Sequence, residues 1–139
     1  MKILHTADWH LGKKLDRFSR LEEQIEVLEE IIGVADEKAV DLVLIAGALF
    51  DNLNPSVEAI ELFYKTLKRL TSHGKRPVIA ISGNHDSPYL VDSPNSLARE
   101  CGIILIGHPN TKVQPMNLEH FKITASAEGF FELQLKNQN

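Results

Sequence analysis

The sequence has 139 residues, 43% of them apolar and only 6% aromatic, which is enough for one aliphatic core of Leu, Ile, Val and Ala. Fifteen Lys and Arg against nineteen Asp and Glu give a formal charge of −4, which excludes a uniformly basic coat for nucleic acid but leaves room for a local basic patch. A lone cysteine, Cys101, excludes an internal disulfide, no apolar run nears the roughly 20 residues that span a bilayer, and charges return too early in MKILHTADWH for a secretory leader.

What remains is a soluble α/β domain of a reducing compartment, and its elements repeat one grammar of strand, polar loop and helix. Lys2–Thr6 is a short apolar run that ends in Ala7-Asp8-Trp9-His10. Ser19-Arg20-Leu21-Glu22 has the pattern of a capping box, with Ser19 at the N-cap and Glu22 reaching back. Leu21, Ile25, Leu28, Ile32, Ala35 and Ala39 follow at steps of three or four, one face of a helix. Leu42–Ala46 is apolar throughout, as a strand covered on both faces of a parallel sheet should be. Asn54-Pro55 reads as N-cap and first helical residue, ahead of a stripe of Val57, Ile60, Tyr64, Leu67 and Leu70. Leu62 and Phe63 widen that stripe.

Pro77–Ile81 is the third strand, Ser82-Gly83-Asn84-His85-Asp86 its loop, and Ser93-Pro94 opens a short helix to about Cys101. Ile103–Ile106 supplies a fourth strand. Such alternation implies βαβ units with right-handed crossovers. Beyond Gly107 the grammar changes: Lys112–Met116, Phe121–Ala125 and Phe130–Leu135 read as short strands without helices between them, and Lys136–Asn139 as a fraying end.

Functional groups of open α/β sheets collect in loops beyond the carboxyl ends of the strands. Here those loops carry Asp8-Trp9-His10, Gly47-Ala48-Leu49-Phe50-Asp51 and Gly83-Asn84-His85-Asp86. If the first strand stays extended, Asp8 and His10 share a face, and a carboxylate beside an imidazole suits Mn²⁺, Fe²⁺ or Zn²⁺. Asn84 offers a neutral oxygen, and His85 can donate a proton or steady a phosphate oxygen. Asp86 would orient the His85 ring and keep it protonated. Asp-x-His alone is a common accident of loops, and Gly-Asn-His-Asp alone can be a turn that uses left-handed backbone angles. Both together, each after a predicted parallel strand, favour a site.

His5-Thr6-Ala7-Asp8-Trp9-His10-Leu11-Gly12, Ile45-Ala46-Gly47-Ala48-Leu49-Phe50-Asp51 and Gly83-Asn84-His85-Asp86 resemble, in order and spacing, the calcineurin-like metallophosphoesterases. Within that family they look like the SbcD-type nuclease subunits of double-strand-break repair, over residues 1 to about 107. The resemblance implies an α/β fold, a β-sandwich flanked by helices. Residues 1–139 would be the N-terminal part of the nuclease domain, truncated, with an incomplete second sheet and no second domain. It further implies two Mn²⁺ ions and cleavage of DNA as a 3′ to 5′ exonuclease and endonuclease, in repair, recombination and replication. An SbcC-type SMC-like ATPase, a homodimer, and a cytoplasmic location associated with the nucleoid through DNA complete the expectation. Carried across, Asp8 and His10 would hold the first metal and Asn84 the second. His85 would stabilise the transition state or protonate the leaving oxygen, with Asp86 as its orienting partner. One ion would activate water and both would neutralise charge on the phosphate.

Two departures stand out. The family's bridging aspartate is replaced by Ala48, whose methyl group ligates nothing, and Asp51 is expected to point elsewhere. The later Gly-His and Gly-His-x-His segments of the family do not occur in these 139 residues; His108, after Gly107, matches a non-ligand stretch. His73 and His120 read as surface residues, and His5, opposite in parity to Asp8, as a core histidine or a support of the site. The expectation is an impaired nuclease with weak metal binding. The alternatives are another metallophosphoesterase, such as a phosphatase or cyclic-nucleotide phosphodiesterase, and a non-catalytic relative.

Lys13, Lys14, Arg17 and Arg20 crowd the loop beside the site, where they would contact DNA phosphates. Leu62, Phe63 and Leu70, flanked by Leu97, are the expected dimer interface, a bundle across a two-fold axis. In the competing account Leu62 and Phe63 cover the neighbouring helix of the same chain. Ile123, Phe130, Phe131 and Leu133 are expected to lie partly exposed on the second sheet.

Overall fold

Four apolar runs form the predicted parallel sheet, β1 (Ile3–Thr6), β4 (Leu42–Ala46), β5 (Val78–Ile81) and β6 (Ile103–Ile106), paired in that order. The computed structural model describes residues 1–93 and 96–136; Pro94, at the expected start of the last helix, and the expected fray at 137–139 lie outside them. Between these strands come a small hairpin, β2 (Lys14–Leu15) and β3 (Phe18–Ser19), and the helices α1 (Leu21–Glu37), α2 (Val57–Leu70), α3 (Pro88–Val91) and α4 (Ser96–Glu100). A second, antiparallel sheet follows: β7 (Met116–Asn117), β8 (Phe121–Ala127) and β9 (Phe130–Leu135). Of the expected strand at Lys112–Met116, only Met116 is in β7. No helix among the described residues is long and apolar enough to cross a membrane.

The period-two alternation of the central strands explains the layers. Val43, Ile45, Val78, Ala80 and Ile103 face α1 and α2, where Leu28, Ile32, Ala35, Phe63, Leu67 and Leu70 complete one core. Ile79 and Ile104 face the other way and pack with Phe121, Ile123 and Val113, together with Leu42, Leu44, Met116 and Leu133. The second sheet thus covers the first in a sandwich. Ile123 is buried there, against expectation, whereas Phe130 is exposed and Phe131 and Leu133 are half-buried. At the sheet's edge, β1 leaves His5 exposed, so it is no core histidine.

The ends of both long helices differ from the sequence reading. No capping box forms at α1, whose N-cap is Arg20 and carries no side-chain cap. Ser19 is paired with Lys14 in the hairpin, and Arg20 bonds Glu23 at 3.0 Å. The helix ends at Glu37, and Ala39 lies past it at φ +48°. At α2 the cap is Ser56 rather than Asn54; its hydroxyl accepts the Ala59 N–H at 3.2 Å.

The buried face of α2 is Ala59, Phe63, Thr66, Leu67 and Leu70, and Val57 is exposed. Aromatic packing turns Phe63 inward: its ring lies 5.0 Å from Phe50 and 6.5 Å from Trp9. Phe63 is 2% exposed and Leu70 0%, so neither is free to meet a second chain. Leu62 is half-buried against the same core, and Leu97 stays open at 70%.

Candidate functional site

Three loops meet at the carboxyl edge of the parallel sheet, and the first two are zipped by their backbones. Asp8 N–H donates to Gly47 O at 3.1 Å, His10 to Ala48 O at 2.8 Å, Leu11 to Leu49 O at 3.0 Å, and Asp51 returns one to Leu11 O at 3.1 Å. Trp9 and Leu11 anchor the first loop in the core, and the Trp9 indole N–H donates to Thr6 Oγ1 at 2.9 Å. The strand does not stay extended as expected: β1 stops at Thr6, and Asp8 and His10 adopt left-handed backbone at φ +57° and +47°. Both nevertheless line one cavity of about 450 Å³ with Lys13, Arg20 and Gln24.

Gln24, absent from the residues the sequence singles out, braces this loop from α1. Its amide donates to His10 O at 2.8 Å and Trp9 O at 3.2 Å, and its oxygen accepts the Gly12 N–H at 3.0 Å. A glutamine inside a helix gives no sequence signal for such a role.

The second and third loops touch through glycines. A Cβ at Gly83 would lie 2.4 Å from Ala48 N, and one at Gly47 (φ +82°) would lie 3.1 Å from Gly83 Cα. Asp86 locks this contact. Its carboxylate, 2% exposed, accepts the N–H groups of Gly83 at 2.7 Å, Phe50 at 2.8 Å and Leu49 at 2.9 Å. It therefore acts as a clamp between the loops, accepting from three backbone donors.

His85 and Asn84 are exposed at the loop tip. The His85 ring stands edge-on to His10 with centroids 5.7 Å apart. Asp51, expected to point away, places Oδ1 3.4 Å from His10 Nδ1, and that buried nitrogen makes no hydrogen bond. His10 thus has Asp51 beside its Nδ1 and the His85 ring edge-on to its own, with Asp8 and Asn84 more open.

An unpaired imidazole nitrogen beside a carboxylate suits one cation or a proton donor. The pair of ions that the resemblance implies does not fit the residues present: Ala48 offers no oxygen, and no group of three His, Cys, Asp or Glu converges among the described residues.

The remaining histidines lie elsewhere. His108 bonds Asp92, whose carboxylate also accepts from Thr111 Oγ1 and Gly107 N–H. Burial alone would raise the Asp92 pKa, but the bonds from His108, Gly107 and Thr111 outweigh it and hold the group below its ordinary value. His73 is exposed, and His120 sits 3.8 Å from Glu119.

Residues 1–132 match the calcineurin-like phosphoesterase family. The chain is 46% identical over 119 residues to the SbcD subunit of the SbcCD nuclease from Bacillus subtilis (strain 168), covering 86% of this chain and 30% of that protein. It is 39% identical over 108 residues to the protein of the same name from Rhodobacter capsulatus, covering 77% and 27%. The Staphylococcus epidermidis protein of that name is 48% identical over 86 residues, covering 62% and 23%. The chain therefore spans less than a third of the length of these relatives.

Proposed function

The chain belongs to the calcineurin-like phosphoesterase family, and from that membership we propose that it is part of an SbcD-type nuclease subunit that hydrolyses DNA phosphodiesters. The observation that carries the reading is His10 at the edge of the sheet, with Asp51 3.4 Å from its Nδ1 and the His85 ring edge-on to it, in a chain 46% identical to a nuclease subunit. His85 is exposed and free to protonate a leaving oxygen or to steady a phosphate. Lys13 lines the cavity that holds Asp8 and His10, Lys14 and Arg17 follow it in the exposed hairpin, and none of the three forms an ion pair among the described residues. Arg20 is less available, being paired with Glu23.

Mn²⁺ as the metal, an SbcC-type SMC-like ATPase as partner, 3′ to 5′ exonuclease and endonuclease action in repair, and a cytoplasmic location belong to the same proposal. So does the low activity that Ala48 implies. The test is DNA binding followed over a salt series. The expected outcome is a steep loss of affinity with salt, a log–log slope of about −0.7 to −0.9 per phosphate neutralised. A chain that hydrolyses small phosphate esters and ignores DNA would turn the reading toward a phosphatase.

A homodimer is also part of the proposal, on Leu62 and Leu97 with Phe63 and Leu70 excluded by burial. Light scattering at high micromolar concentration is expected to show a dimer that Leu97→Lys weakens. A monomer at that concentration removes this element.

A further inference from the structure

Immediately after the first loop, the chain makes a hairpin whose apolar residues face away from both cores. Lys14 pairs with Ser19 and Leu15 with Phe18 across β2 and β3, so Leu15 and Phe18 stand side by side on one face. Phe18 is 70% exposed and Leu15 66%. Neither belongs to a core cluster. The base of the hairpin is tied to the site: Lys13 N–H donates to His10 O at 3.1 Å, and Arg20 N–H to Lys13 O at 3.1 Å. Its tip, Asp16-Arg17, is solvent-exposed, with Asp16 at φ +55°.

The surrounding charge narrows what can cover this pair. The eight residues Lys13–Arg20 carry four cations and one anion in a chain whose net charge is −4. Cations beside an exposed aromatic ring suit a polyanion that also presents flat apolar faces, the chemistry of nucleic acid with unstacked bases. A fully paired duplex offers phosphates but keeps the faces of its bases stacked inside, except at the outermost pair of each end, where the base stays paired and cannot splay onto a ring.

We propose that the Leu15–Phe18 pair is a stacking platform for an unpaired nucleobase at a DNA end, with Lys13, Lys14 and Arg17 on the flanking phosphates. This rests on the nuclease reading above and deepens it: the hairpin selects single-stranded ends and leads them toward His10 and His85. Phe18 supplies the ring, and Leu15 supports it from the opposite strand. Because the hairpin base is fixed to His10 O, a base held on Phe18 keeps its strand in register with the site.

The experiment is fluorescence anisotropy of the 139-residue chain at low ionic strength, with a labelled oligothymidine strand and a blunt duplex as probes. The parent chain is expected to prefer the single strand. Phe18→Ala should weaken single-strand binding about 5- to 150-fold, the range for loss of one stacked base, with the salt slope unchanged. Phe18→Trp should keep the affinity, and its emission should be quenched by the strand; Trp9 is buried and serves as the background. Arg17→Gln should instead lower the slope by about one and weaken both probes alike.

If the parent binds DNA and Phe18→Ala binds the single strand as tightly, the stacking platform is wrong and the nuclease reading stands. If the parent binds neither probe, the nuclease reading itself fails. If Phe18→Ala loses binding to vesicles containing phosphatidylserine and not to DNA, the hairpin is a lipid-surface element, and the proposal is overturned.

Discussion

Replacing Ala48 with aspartate should raise Mn²⁺ affinity by at least tenfold, read by titration calorimetry. Loss of groups that only orient ligands costs about 10–100-fold in affinity or activity, and a direct ligand should matter no less. The backbone is ready for the change. Residue 48 sits at φ +45°, a left-handed conformation that Asp tolerates better than Ala. Its 6% exposure has a second consequence: a carboxylate there is buried and needs a cation. The apo variant should therefore melt below the parent, and Mn²⁺ should raise its Tm more than it raises that of the parent. In this chain, cleavage should stay near background even so, because the later histidines that the resemblance implies are not among its residues. In a chain extended to the length of the relatives, Ala48→Asp should give Mn²⁺-dependent cleavage of DNA. Equal affinity in parent and variant would contradict the role given to position 48. Ester hydrolysis without DNA cleavage in the extended chain would contradict the choice of substrate.

Asp86→Ala is expected to be strongly destabilising. It strands the buried N–H groups of Leu49 and Phe50 and the half-buried one of Gly83, at about 1–3 kcal/mol each if none finds water. A total of about 3 kcal/mol or more is a large part of the roughly 5–15 kcal/mol that holds a domain folded. Tm should fall by about 10 °C. Asp86→Asn keeps the shape and one oxygen but turns an N–H₂ toward a backbone donor, so it should lie between Ala and the parent. Hydrogen exchange gives the specific readout: the amides of Leu49, Phe50 and Gly83 should lose protection, while those of α1 keep theirs. His85→Ala should cost little, because His85 is exposed. Were Asp86→Asn as stable as the parent, with those amides still protected, the clamp would be refuted.

The same residue marks the limit of what the sequence discloses. Asp86 follows His85, and adjacency suggests a partnership. Which way a carboxylate turns at a loop depends on donors 36 and 37 residues away, at Phe50 and Leu49, and no local pattern reports them. Asp51 departs from expectation for the same reason, since the turn through Gly47 and Ala48 swings it back toward His10. The parallel strands are legible because continuous apolar runs admit few other fates. Their order and the site's position follow from the alternation of strands and helices. Phe63 is not legible. Periodicity gives a helix, but the phase of its buried face is decided by Trp9 and Phe50 in distant loops. Ser56 displaces Asn54 as the cap because either satisfies the local rule.

Asp8, His10 and Ala48 are all held at left-handed backbone angles without being glycine. Each such residue carries strain of order 1–2 kcal/mol, tolerated because neighbouring contacts over-determine the conformation. Here Gln24, the backbone zipper and Asp86 do so. The loops are therefore set during folding, before any ligand arrives, and the phosphate of the proposed substrate would meet groups that need little reorganisation. Preorganisation of this kind ties the site's thermal tolerance to its readiness. Relaxing the strained positions would favour stability and leave the side chains to find their arrangement on every encounter.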